Sequence, residues 1–204
     1  MREPTRHEQA LIAAIDDCLP QTQCRQCGTE GCEAYARAIV MDKLPFNRCA
    51  PGGAAGIERL AALLHKTAVP LDPEFGVELP FAVARIDVKR CIGCSWCIKV
   101  CPTDAIAGAP KHLHGVIEPR CTGCSLCLPA CPVDCIDMVE NGAEWGTEQA
   151  HRARDAFRAR RTRLAAQERA DAARLEALGA ANPNAKSALL AAVMAKARNT
   201  KTAP

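Results

Sequence analysis

Aromatic side chains make up only 3% of this 204-residue chain, with two Trp, one Tyr and four Phe. A large aromatic core is therefore excluded, and something other than bulk apolar packing must stabilise the fold. No run of about 18 apolar residues occurs, so no segment of the sequence is expected to span a bilayer by itself. No basic stretch followed by an apolar one opens the sequence, and its fourteen cysteines are accordingly read as reduced, cytosolic thiols rather than a secreted disulfide framework. Dinucleotide and phosphate-loop fingerprints are also missing. The GGAAG stretch at 52–56 lacks a following Lys-Ser/Thr and reads as a tight turn into a helix over 54–65. The five histidines show no ligand spacing, and no catalytic residue is expected.

What the chain does have is one cysteine pattern written twice, CIGCSWCIKVCPTDAI from Cys91 and CTGCSLCLPACPVDCI from Cys121. Each is C-x2-C-x2-C-x3-C-P, the spacing that ligates two [4Fe-4S] clusters in bacterial ferredoxins, where the fourth cysteine of each run serves the other cluster. Cluster I is thus expected on Cys91, Cys94, Cys97 and Cys131, and cluster II on Cys121, Cys124, Cys127 and Cys101. At an offset of 30 residues, Gly93/Gly123, Ser95/Ser125, Pro102/Pro132 and Asp104/Asp134 match as well, which indicates a duplication with pseudo-twofold symmetry. Structural zinc is the rival reading, but it has no use for a third cysteine or the trailing proline. Short strands are expected in AVARID before Cys91 and GVIEP before Cys121, which makes this unit α+β.

Upstream, Cys24, Cys27 and Cys32 stand in C-x2-C-x4-C spacing, with Cys49 returning after a helical stretch, EAYARAIV. Four such ligands suffice for a third [4Fe-4S] cluster, with zinc as a competitor. A helix over 5–18 precedes them, and prolines at 70, 73 and 80 mark a linker. The domains are expected at 1–66 (helical, one cluster), 67–82 (linker), 83–141 (two-cluster ferredoxin-like) and 142–204 (a basic Ala/Arg-rich helical extension).

The segments LPQTQCRQCGTEGCEAYA and CAPGG, followed by the tandem repeats, resemble the B subunit of the Rnf electron-transport complex, also called the SoxR-reducing complex. The first segment is also similar to a corrinoid iron-sulfur protein subunit. The resemblance covers about residues 7 to 141. It implies three [4Fe-4S] clusters, single-electron relay, redox protein partners and other subunits of an Rnf-type complex. Family members usually start with a hydrophobic anchor; none precedes Cys24 here, so peripheral association with the cytoplasmic face of a membrane is the expected alternative to anchoring.

Charge is unevenly distributed. Residues 1–150 hold 14 Lys+Arg against 19 Asp+Glu, whereas residues 151–204 hold 12 against 4. The acidic body suits docking on basic redox partners. The tail, whose phase-sharing Phe157, Leu164 and Leu178 form only a thin apolar stripe, reads as a solvated helix, with a second short helix near 185–197. Its arginines lack interleaved aromatics, which makes nucleic acid an unfavoured partner. Two further readings stand beside electron relay: a redox-sensing or scaffold protein with a nucleic-acid-binding tail, and the electron-input subunit of a soluble oxidoreductase. Cys18 reads as a buried or free thiol, Cys135 as packing beside a cluster, and Trp96 as a shield or packing residue.

Overall fold

A computed structural model describes residues 2–181, with the backbone alone for 179–181; the short helix expected near 185–197 lies outside the described residues. The chain divides into two compact units, residues 1–160 and residues 161 onward.

The first unit begins with three helices, α1 (Arg6–Cys18), α2 (Cys32–Met41) and α3 (Gly53–Leu63). Thr5 and Glu8 form a reciprocal capping box that starts α1. Ile15, Leu19, Tyr35, Ile39, Ile57 and Leu60 bury into one cluster with Cys27, Cys32 and Cys49. Each such aliphatic side chain contributes roughly 1.5–3 kcal/mol by leaving water, a modest total in which thiols stand where bulkier residues would. The single tyrosine is nearly fully buried and satisfied twice at its hydroxyl, donating to Pro45 O at 2.8 Å and accepting from Arg48 N at 2.9 Å. It thereby pins the loop that brings the chain back to Cys49.

The next part of this unit contains β1 (Ala82–Ile86), α4 (Trp96–Val100), β2 (Ile106–Ala107), β3 (Gly115–Val116) and β4 (Ile136–Glu140). The strands pair antiparallel as β1 with β4 and β2 with β3. Each half of the duplication therefore supplies one strand to each ribbon. The backbone repeats the symmetry: Gly93 and Gly123 both have φ +68°, Ser95 and Ser125 are left-handed at 64° and 57°, and Asp104 and Asp134 at 52° and 47°. A Cβ on Gly93 would lie 2.6 Å from His112 O, and one on Gly123 2.7 Å from Ala82 O, so glycine is required by neighbouring backbone as well as by φ. The halves differ where Pro129 occupies the place of Lys99. Lys99 N donates to Ser95 O within the turn that forms α4, and a proline cannot make that bond.

The long helix α5 spans Thr147–Ala181 and crosses the boundary between units. Its first part departs from the expectation of a solvated tail. Ala150 and Ala153 are buried, Arg154 Nη1 lies 2.8 Å from Asp17 Oδ1, and Arg158 Nη2 lies 3.3 Å from Oδ2 of the buried Asp16. Arg160 pairs with Asp104 and donates to Lys99 O at 2.6 Å. The spacing Ala150, Ala153, Phe157 is a helical face whose small residues permit close approach, and the arginines find acidic partners in Asp16 and Asp17 of α1 and in Asp104 after Cys101. In the second unit, α5 continues to Ala181 with mainly exposed side chains through residue 178.

Candidate metal centres

The two ferredoxin-like sites are cavities walled by thiols. One is lined by Cys101, Cys121, Cys124 and Cys127 with apolar Ala84, Ile106 and Met138. The other is lined by Cys91, Cys94, Cys97 and Cys131, with Cys135 and His114. In each, three cysteines come from one repeat and the fourth from the other, because β1 pairs with β4 and carries each half across its mate.

Amide donors face these sulfurs. Ala105 N lies 3.2 Å from Cys101 Sγ, Cys135 N lies 3.4 Å from Cys131 Sγ, and Ala84 N lies 3.4 Å from Cys121 Sγ. The first two are equivalent under the 30-residue offset, and both turns carry the left-handed Asp that aims the amide back at the cysteine. Such bonds favour thiolate over thiol and thus cluster binding.

In the N-terminal domain Cys27, Cys32 and Cys49 are buried and Cys24 is half-buried. Burial, with the nearby Cys24 and Cys27 adding to it, raises the Cys49 thiol to about 12. Burial likewise raises Cys32, with Cys49 and Cys24 adding to the shift. Cys27, Cys32 and Cys49 bury in one cluster, and the charge of Cys24 bears on Cys49 and Cys32. A polar relay holds their loop: Asp16 Oδ1 accepts from Gln21 at 2.9 Å, Gln21 Oε1 accepts from Gln23 at 2.8 Å, and Gln23 Oε1 accepts from Cys32 N at 3.0 Å. This gives the LPQTQC segment its physical purpose, since the Gln23 side chain accepts from the first amide of α2 at Cys32.

These walls fit a polynuclear cluster. A single zinc at about 2.3 Å from each sulfur would draw four thiols to roughly 3.8 Å of one another. Among the described residues no such single-ion group is found, while each cavity is walled by four cysteines with amide donors on their sulfurs. Burial raises Cys124 and Cys97 to about 11 and Cys127 to about 12, with neighbouring thiols adding to each. Bound iron would supply the positive charge that such buried thiolates need, and loading would release their protons.

Comparison with known proteins agrees with this geometry. Residues 84–138 match the family model of a 4Fe-4S dicluster domain, and residues 19–51 match one described as a putative Fe-S cluster. Over 128 residues the chain is 56% identical to the B subunit of the ion-translocating oxidoreductase complex of Azoarcus sp. (strain BH72), covering 63% of this chain and 70% of that protein. The chain belongs to this family of B subunits. The relative from Stutzerimonas stutzeri (strain A1501) is 57% identical over 134 residues, 65% of this chain and 69% of its own. That from Shigella dysenteriae serotype 1 is 47% identical over 111 residues, 54% and 58% respectively. Among the described residues no helix is long and apolar enough to cross a membrane.

Two residues at the cavity of Cys91, Cys94, Cys97 and Cys131 carry more than sequence spacing indicates. Cys135 Sγ lies 3.5 Å from Cys131 Sγ, and burial followed by this hydrogen bond raises its thiol to about 12, leaving it a neutral neighbour of Cys131. His114 is buried with Nδ1 3.3 Å from Cys97 Sγ. Spacing could not reveal His114, because a residue seventeen positions downstream reaches Cys97 only through the β2–β3 turn.

Proposed function

We propose that this chain relays single electrons through three [4Fe-4S] clusters, acting as the B subunit of an ion-translocating oxidoreductase complex. The observation that carries the reading is the interleaved pair of thiol-walled cavities, each completed by a cysteine from the other repeat. The ligand sets are Cys24, Cys27, Cys32 and Cys49; Cys91, Cys94, Cys97 and Cys131; and Cys121, Cys124, Cys127 and Cys101. Each cluster, when bound, stores one electron; the chain's own residues hold it dry and neutralise its charge with amide donors.

Order along the relay is supported by the contact between loops. Thr122 Oγ1, beside the cluster II ligands Cys121 and Cys124, donates to Thr22 O at 2.8 Å, two residues from Cys24. Trp145 Nε1 donates to Pro20 O at 2.7 Å and its ring lies 4.9 Å from Phe81, closing the same seam. Cluster II is thus the intermediate station between the N-terminal cluster and cluster I. Redox partners include the other subunits of the complex, with peripheral placement at the membrane. A nucleic-acid-binding tail is less supported, because Arg154, Arg158 and Arg160 are committed to Asp17, Asp16 and Asp104.

Iron and sulfide analysis of anaerobically reconstituted full-length protein tests the reading. About twelve irons per chain is the expected result, and about eight, with zinc in the N-terminal domain, would contradict the third cluster.

A further inference from the structure

We infer that His114 is a positioning residue for electron transfer that raises the reduction potential of cluster I by donating a hydrogen bond to Cys97. This rests on the proposed assignment of Cys97 as a cluster I ligand. The imidazole is only 3% exposed and lines the same cavity as Cys91, Cys94, Cys97 and Cys131. Its Nδ1 lies 3.3 Å from Cys97 Sγ, and Nε2 is buried with no hydrogen-bond partner among the described residues. Once Cys97 binds iron as thiolate it has no proton to give, so the bond can run only from Nδ1–H to Sγ.

The ring is also held in place. A Cβ on Gly108 would lie 2.3 Å from His114 Cδ2, so the imidazole rests directly on the Gly108 backbone and any side chain there would displace it. Gly108 and His114 flank the β2–β3 ribbon, which fixes their separation through the Ile106–Val116 and Ala107–Gly115 pairs. Packing alone would favour an apolar side chain at this position, since an unsatisfied ring nitrogen in an apolar cavity is costly unless the other nitrogen makes a strong bond.

The sign follows from charge. Reduction adds one electron to the cluster and places more negative charge on its sulfur ligands. A donor aimed at Cys97 Sγ therefore stabilises the reduced state more than the oxidised one, and the potential rises. The position 30 residues before His114, its mate in the duplication, is Ala84, which lines the other thiol-walled cavity without a side-chain donor, so the duplication does not repeat this donor at cluster II. The two ferredoxin-type clusters are thereby made unequal.

The test uses full-length, anaerobically reconstituted protein, with iron content and redox titration followed by electron paramagnetic resonance. His114→Phe keeps a flat ring but removes the donor. His114→Asn keeps an amide N–H near the place of Nδ1. With about twelve irons in each form, the Phe variant is expected to shift one ferredoxin-type cluster to a more negative potential and leave the other unmoved, while the Asn variant stays close to wild type. Full iron with unchanged potentials in His114→Phe overturns the inference. If that variant fails to hold cluster I, electron–nuclear double resonance on reduced wild-type protein carrying 15N-histidine replaces it. A nitrogen coupling to one cluster supports the bond, and no coupling overturns it. Wild type that cannot load both ferredoxin-type clusters would instead overturn the ligand assignment, and this inference with it.

Discussion

The guanidinium of Arg160 on α5 is paired with the carboxylate of Asp104 and sits against the carbonyls of Ile98 and Lys99, at 3.4 and 2.6 Å. Asp104 follows Cys101, the proposed remote ligand, by three residues, and Ile98 and Lys99 belong to the helical turn after Cys97. One arginine from the C-terminal helix thus closes the turn that joins the two ferredoxin-type sites. Its side chain is 10% exposed, so the hydrogen bonds are made largely out of water. Replacing it by alanine leaves two carbonyls and a carboxylate without this donor and is expected to cost about 2 kcal/mol of stability. The denaturation midpoint of Arg160→Ala against wild type checks this, with Arg152→Ala, an exposed i,i+4 pair with Glu148, as a near-neutral control.

Truncation separates the two parts of the tail. Deleting residues 161–204 is expected to leave iron content unchanged, whereas deleting from residue 147 onward removes Ala150, Ala153, Arg154, Arg158 and Arg160 from their contacts and lowers the stability of the cluster-bearing domains. Iron retention after mild heating of the two truncated proteins measures the difference.

Asp16 supplies a dependence on pH. Its carboxyl lies buried beside Gln21 and Arg158, and burial, outweighing both partners, holds its pKa above the usual 3.8. A carboxyl raised on folding binds its proton more tightly in the native state. Its contribution to stability is therefore full below the unfolded pKa and is lost as pH rises through the folded one. Asp16→Asn should gain stability relative to wild type as pH rises from below 3.8 toward neutrality. A difference between the two that is constant over that range would contradict this.

Much of the centre was legible in the cysteine spacing, and the reason is chemical. In a two-cluster ferredoxin each cubane takes three thiolates from one tight loop and a fourth from the other repeat, which the C-x2-C-x2-C-x3-C-P pattern records. The α1, α2 and α3 helices and the β1 strand also lie where periodicity and caps put them, within a residue or two. GVIEP yielded only a two-residue strand, because Pro119 turns the chain into a 3-10 helix at Glu118–Arg120. Two features escaped. The packing of α5 depends on Asp16, Asp17 and Asp104, more than 50 residues away in sequence, and alanine on a helix face carries little hydrophobic signal. The approach of His114 to Cys97 depends on a tight ribbon that no local pattern marks.

Ligand crossing can be tested one thiol at a time. Cys101→Ala is expected to lose cluster II and about four irons while the ligands of cluster I remain in place. Cys135→Ala, which removes a neutral thiol 3.5 Å from Cys131 Sγ, is expected to keep about twelve irons. Iron analysis with spectroscopy of both variants reads the result. Loss of a cluster in Cys135→Ala would make Cys135 a ligand and displace Cys131 from the assignment.

The claim that the three centres act as an electron relay is tested most directly by anaerobic coulometric titration of the reconstituted full-length protein. The account predicts uptake of about three electrons per chain, one for each cluster, fully returned on reoxidation, with magnetic interaction between the two ferredoxin-type clusters when both are reduced. Uptake of about two, or clusters that break down after a single reduction, would contradict it.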